Sequence, residues 1–284
     1  MLNEIIVSMR PKQWYKNLVL FAGIIFSLNL FNVHIWITVF SSFIIFCMLS
    51  GSEYIINDIM DKERDKIHPK KCNRPIASGK LNVLHAFIFA ILIVCSALVG
   101  AYLINVQFFV VSLAYFLLIV LYSLFLKHIA IVDVLTISMG FVLRAIAGCL
   151  AIKVFVSSWL IICTFLIALF LALGKRRHEL MLLEDDAISH REVLNDFSIE
   201  MLEKMITIVT SALIMSYSLY TFLSNNTWMM LTIPIIIYGI FRYIFLIYSK
   251  NADEEPETMF KDIGMITCII LWVVSTVGII YVKK

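Results

Sequence analysis

The chain has 284 residues, of which 61% are apolar and only 15% charged, and its mean hydropathy is +0.94. A water-soluble globular domain lies nearer about half apolar and a quarter charged, so this composition excludes one. The net charge is only +3 and the bases are interleaved with acids, which excludes an electrostatic binder of nucleic acid.

The apolar residues fall in runs of about 17 to 22, the length at which a helix crosses the hydrocarbon of a bilayer. The opening "MLNEIIVSMRPKQWYKN" has no short apolar region followed by a small-residue cleavage site, so the first span is expected to serve as the insertion signal. Trp14 and Tyr15 precede that span and suit an interfacial anchor. Spans are predicted near 18–33, 36–56, 83–104, 107–126, 132–152, 157–174, 205–223, 228–248 and 263–282. The expected fold is therefore an all-α integral membrane bundle of about nine helices, one domain over 1–284. Loops 57–82, 175–204 and 249–262 form its polar cap. The six cysteines lack metal or redox spacing and read as small apolar filler.

The second span runs without a turn signal into "INDIMDKERDKIHPKKCNRPIASGK", which carries four acids and seven bases. Continued as helix, Asp58, Asp61 and Asp65 lie at i, i+3 and i+7, within roughly 60° of one face. Asn57 sits beside that arc and Glu63 points away. Three crowded carboxylates repel unless a cation lies among them, and Mg²⁺ suits oxygen ligands completed by substrate phosphates. Pro69 and Pro75 break the helix, so Lys70, Lys71 and Arg74 return on a loop towards the acids. Carboxylate-held metal facing bases describes a diphosphate site. The alternative is a solvated helix end with alternating charge.

Tyr122 and Lys127 fall at the end of the fourth span. Asp133, Gly140 and Arg144 follow on one face of the fifth, with Arg144 roughly 16 Å deeper than Asp133 at 1.5 Å per residue. An arginine in mid-span faces a cavity or pairs with another side chain. The small residues Gly140, Ala145, Ala147 and Gly148 would admit a close neighbour, either a helix or a ligand. After the sixth span, "LALGKRRHELMLLEDD" places Lys175, Glu179 and Asp186 on one face, with Arg176 and His178 to either side. Those bases suit a phosphate; the alternative is an ordinary basic flank of a membrane helix. A weak internal rhyme links "NDIMDKERD" with "GKRRHELMLLEDD".

If the N-terminus is cytoplasmic, about nineteen of the 23 Lys and Arg residues lie on that side, and all 20 Asp and Glu lie on that face or near that end of a helix. The opposite turns, "NLFNVH", "INVQ" and "SNNT", are nearly uncharged. The expected location is the cell membrane, with the N-terminus and the polar site cytoplasmic. A transporter would carry charge towards both faces, which this chain does not.

The pattern N-D-x-x-D-x-x-x-D followed by R-P-x-x-S-G, carried by Asn57, Asp58, Asp61, Asp65, Arg74, Pro75, Ser78 and Gly79, resembles the first signature of the UbiA superfamily of intramembrane prenyltransferases. The resemblance implies a helical bundle around a central cavity open to cytosol and lipid. Members of that superfamily carry a second Asp-rich motif on the sixth helix, where this chain has "GKRRHEL". With "RPKQWYKN", "LKHIAIVDV" and "GFVLRAIAG", that departure resembles the branch of decaprenyl-phosphate phosphoribosyltransferases.

The resemblance implies Mg²⁺-dependent transfer of 5-phosphoribose from phosphoribosyl diphosphate to a polyprenyl phosphate. Asp58, Asp61 and Asp65 would hold the metal, and Asn57 and Arg74 would orient the diphosphate. Lys16, Lys70, Tyr122, Lys127, Arg144, Lys175, Arg176 and Glu179 are candidates for binding the sugar and lipid phosphates. Asp133, a candidate catalytic residue with Asp58 and Asp61, would meet ribose hydroxyls or polarise the ring side of the site. The alternative in the same fold is transfer of a prenyl chain to an aromatic acceptor. Chain length of the lipid and homo-oligomerisation stay open.

Overall fold

The computed structural model describes residues 2–69, 71–183, 194, 196–224, 226–248 and 262–282. Within them eight helical segments are long and apolar enough to cross a membrane. These are α3 (Val33–Met60), α5 (Val83–Ile104), α6 (Val106–Leu124), α7 (Val132–Ala151), α8 (Ser158–Leu183), α9 (Ile199–Leu223), α10 (Ile233–Tyr248) with the 3-10 turn before it, and α11 (Ile263–Val282). Three short helices accompany them: α1 (Leu2–Ser8), α2 (Ala22–Phe26) and α4 (Lys62–Ile67). The chain is a multi-pass membrane protein.

The ninth expected span, 18–33, is not found as one α-helix. A 3-10 helix over Pro11–Phe21 runs directly into α2, and the chain then turns. At about 2.0 Å per residue in the 3-10 part and 1.5 Å in α2, the pair extends roughly 30 Å. Neither part alone has the length of a membrane helix. The turn is enforced locally: Leu28 has φ +61°, and the Asn29 amide donates to the Ser27 carbonyl at 3.0 Å. Such side-chain bonds compete with a continuing helix.

Starts of the long helices are written in the sequence. Asn32, Asn82, Asn105, Ser198 and Asn226 each sit before a helix and accept a backbone N–H of its first turn. Asn105 does more, since its amide donates to the carbonyls of Leu150 and Ala151 at 3.0 and 3.2 Å. One side chain thereby serves the start of α6 and the end of α7, where backbone groups lack helical partners.

Two compact units divide the chain, one of residues 1–126 and 140–156, the other of 127–139 and 157–284. In the first, α3, α5, α6 and the later turns of α7 close around Phe46, Leu49, Phe108, Tyr115 and Ala147. The 3-10 helix buries Asn17 and Leu20, three residues apart as a period of 3.0 requires, and α2 continues that face with Gly23. It lies backbone to backbone on α7: a Cβ on Gly148 would stand 2.1 Å from the Leu20 carbonyl oxygen. In the second unit, α8, α9, α10 and the first turns of α7 pack around Val134, Phe170, Leu173, Leu202, Ile206 and Tyr243. Gly174 makes room for the Tyr243 hydroxyl, which a Cβ would approach to 2.7 Å.

Candidate active site

Polar insert 56–80 is built by α3 overrunning its apolar length. The helix continues to Met60, breaks for one residue at Asp61, and resumes as α4 because the Asp65 N–H still reaches the Asp61 carbonyl at 2.8 Å. The face set by this near-continuous helix turns Asp58 and Asp65 inward, 2% and 3% exposed. Glu63 points outward, where its hydrogen bond from Lys66 holds the carboxyl below the usual carboxylate range. Asn57 and Asp61 are half-buried.

Downstream, the loop brings Arg74 back onto the acids. Its Nη1 donates to Asp65 Oδ2 at 2.5 Å and to Asp58 Oδ1 at 3.1 Å, so one guanidinium nitrogen joins both carboxylates. Asp58 Oδ1 also accepts from Nη2 of Arg10 at 2.5 Å. Two buried carboxylates would be untenable without compensating positive charge, and here two guanidiniums supply it. Among the described residues no three His, Cys, Asp or Glu side chains converge closely enough to hold a metal ion by themselves. The donor set does fit Mg²⁺ as that ion is ordinarily held, by one or two carboxylates with substrate phosphates and water completing the shell. A cation already bridges Asp58 and Asp65, in the form of Arg74.

Deeper in the same unit lies a second polar chain. Arg144 donates from Nε to Asn17 Oδ1 at 2.8 Å and from Nη2 to the Tyr115 hydroxyl at 2.5 Å. Tyr115 donates in turn to Glu53 Oε2 at 3.1 Å, and Asn17 donates to Ser50 Oγ at 3.1 Å. The guanidinium also lies over the Tyr115 ring, 4.6 Å from its centre. Arg144 is only 7% exposed. Arg144 is thus held in an internal network by two neutral side chains, Asn17 and Tyr115. Gly140 lies beside it, its missing Cβ 3.6 Å from Arg144 Nη1.

In the other unit, Asp133 and Arg176 form a two-pronged pair, Nε to Oδ2 at 2.5 Å and Nη2 to Oδ1 at 3.0 Å, with both side chains buried. Arg176 Nη1 meets Glu179 Oε2 at 2.5 Å, one turn on. Three of the expected residues are thus brought together as two acids on one arginine, the same stoichiometry as Asp58, Asp65 and Arg74. Arg177 is buried as well. It donates to Glu203 at 2.8 Å and to the Ile247 carbonyl at 3.2 Å, and stacks 3.8 Å from the centre of the Tyr248 ring.

Lys16 and Tyr122 are half-buried on the 3-10 helix and on α6, Lys127 is half-buried in a short 3-10 turn, and Lys175 is exposed on α8. Lys70 and Asp186 lie outside the described residues, as does almost all of loop 249–262.

A family model described as the UbiA prenyltransferase family matches residues 18–270. The chain belongs to this family. Within it, the chain is 29% identical to the decaprenyl-phosphate phosphoribosyltransferase of Mycolicibacterium smegmatis, over 98% of this chain and 92% of that one. It is 31% identical to the protein of the same name from Corynebacterium glutamicum, over 98% of this chain and 86% of that one. The fold matches a UbiA homologue from Archaeoglobus fulgidus solved with GPP and Mg²⁺, at a TM-score of 0.75 and 18% identity, covering 98% and 99% of the two chains.

Four polar residues of this UbiA-family chain escaped the sequence reading as site members: Arg10, Asn17, Glu53 and Tyr115. Glu53 was countable as an acid inside a span, which is itself a signal. For the others the partner lies too far along the chain, 48 residues from Arg10 to Asp58 and 127 from Asn17 to Arg144, for spacing to betray it.

Proposed function

We propose that this chain transfers 5-phosphoribose from phosphoribosyl diphosphate to a polyprenyl phosphate and releases pyrophosphate, at the cytoplasmic face of the cell membrane. The observation that carries this reading is the likeness to the two phosphoribosyltransferases, which extends over nearly the whole chain. The Asp133–Arg176–Glu179 cluster supports it, because an arginine there suits a phosphate better than a second metal.

Asp58, Asp61 and Asp65 would hold Mg²⁺, which when bound neutralises the leaving diphosphate. Asn57 and Arg74 orient that diphosphate. Lys16, Lys70, Tyr122, Lys127, Lys175 and Arg176 serve the sugar 5-phosphate and the lipid phosphate. Asp133 and Glu179 fix the fork of Arg176, and Asp133 can accept from a ribose hydroxyl. Arg144 contributes by holding Asn17, and with it the 3-10 helix that carries Lys16.

A lipid phosphate oxygen attacks the anomeric carbon as the carbon–oxygen bond to pyrophosphate breaks, the electron pair leaving with pyrophosphate. The nucleophile is already anionic near neutral pH, since a phosphate monoester has its second pKa near about 6. No general base is required, and catalysis reduces to positioning and charge stabilisation.

The test is turnover of the purified protein in detergent with Mg²⁺, a short polyprenyl phosphate and labelled phosphoribosyl diphosphate. A labelled lipid is expected, lost in Asp58→Ala and on chelation. Product only from a prenyl diphosphate and an aromatic acid would transfer the chain to the prenyl-transferring reading.

A further inference from the structure

Residues 9–11 lie directly on the site-forming end of α3. Gly51, Tyr54 and Asp58 follow one another at i, i+3 and i+7 and form one face of that helix. Each meets the N-terminal segment. Gly51 receives Met9 so closely that a Cβ there would stand 2.7 Å from the Met9 methyl carbon. The ring of Tyr54 lies 4.7 Å below the Arg10 guanidinium. Asp58 accepts the Arg10 Nη2 hydrogen bond at 2.5 Å.

Arg10 is held there in an unusual backbone. Its φ and ψ are 51° and 66°, left-handed, and the next residue is Pro11. A residue before proline is pushed towards extended conformations, so this one persists only because its surroundings impose it. The Gln13 N–H returning to the Arg10 carbonyl at 2.8 Å and the Trp14 indole N–H on the Met9 carbonyl at 3.3 Å are part of what imposes it. Such local strain is found where a side chain must be aimed.

The side chain so aimed is 28% exposed, while the carboxylate it touches is 2% exposed. The guanidinium therefore contacts the buried acid while part of the side chain stays exposed. A guanidinium presents five N–H donors on a rigid fork, so one edge can fix a carboxylate while the other receives a phosphate oxygen.

We propose that Arg10, delivered by the N-terminal segment and braced on Tyr54, is a diphosphate-binding residue that also sets the orientation of Asp58. The assignment rests on reading Asp58 as an acid of the donor site. It is independent of whether the donor carries ribose or a prenyl chain, because both carry a diphosphate.

The measurement is the affinity of the full-length protein in detergent for inorganic pyrophosphate with Mg²⁺, by calorimetry, alongside the thermal midpoint without ligand. Arg10→Met should weaken Mg²⁺–pyrophosphate binding about 10- to 100-fold, the scale of a charge-assisted hydrogen bond. Its midpoint should stay close to wild type, because Asp58 keeps Arg74. Arg10→Lys should recover part of the affinity, Tyr54→Leu should lose part of it, and Lys12→Ala, at the exposed base two residues on, should change nothing. Unaltered pyrophosphate affinity in Arg10→Met overturns the assignment, and so does a lowered midpoint with affinity intact, which would make Arg10 a structural brace. A wild type that does not bind Mg²⁺–pyrophosphate overturns it too. A wild type that binds pyrophosphate but makes no phosphoribosyl lipid refutes the proposed reaction and leaves Arg10 standing.

Discussion

Tyr115 places one oxygen between a buried arginine and a buried acid in the interior of a membrane protein. It accepts from Arg144 and donates to Glu53, whose other oxygen, Oε1, has no hydrogen-bond partner. Tyr115→Phe keeps the ring and its stacking but leaves both Arg144 and Glu53 short of a bond. A loss of about 2–3 kcal/mol is expected in denaturant titrations in mild detergent. Combined with Glu53→Gln, the loss should be clearly less than additive, because both changes interrupt one chain of bonds. Additive losses would show that the two side chains act separately.

Arg74 carries a heavier charge burden, since one of its nitrogens meets two buried carboxylates. Arg74→Ala strips Asp65 of that ion pair and leaves Asp58 to Arg10. Breaking a buried pair from one side costs about 3–5 kcal/mol, so reduced thermal stability together with lost turnover is expected. Unchanged stability would mean that water reaches Asp65. This part of the site was legible in the sequence, because a helical period followed by two prolines dictates both the acid face and the returning loop. The Tyr115 chain was not, since its members come from four different helices.

At the scale of the element, the instructive case is the segment before α3. Its hydropathy reads as an ordinary α-span, yet it forms a 3-10 helix and the short α2. The reason lies in its neighbour: α7 offers Gly148, and the Leu20 carbonyl occupies the position where a side chain would begin. Gly148→Ala must push apart two backbones, which cannot yield by changing rotamer. A loss of at least about 2 kcal/mol is expected, with the midpoint in detergent as the measure. Gly278 in α11 is the control, with nothing within 4 Å of its missing Cβ. Gly278→Ala should be neutral or stabilising by up to about 1 kcal/mol, as helix propensity dictates. Equal losses at both positions would remove the close approach as the explanation.

For the whole molecule, the lopsided placement of charge sets an expectation for orientation. In a cysteine-free background, an impermeant thiol reagent should label Lys80→Cys in inside-out vesicles and Thr227→Cys in intact spheroplasts, and not the reverse. The opposite pattern would put the acid cluster outside the cell and remove the donor proposed for it. Each compact unit holds two acids on one arginine, Asp58 and Asp65 on Arg74 in the first and Asp133 and Glu179 on Arg176 in the second.

Sequence by itself determined the class of the protein, most of its span boundaries and the first acid cluster. Each depends on neighbours within a few turns: hydrocarbon thickness sets run length, asparagine and serine caps mark the starts, and the 3.6-residue period sorts acids to one face. Only the tertiary structure decided that Arg10 reaches Asp58, that Arg144 is satisfied by Asn17 and Tyr115, that Asp133 pairs with Arg176, and that the first apolar run winds as a 3-10 helix. Those outcomes depend on which backbones can touch and which buried charges must then be compensated, and both are settled between residues tens to more than a hundred positions apart.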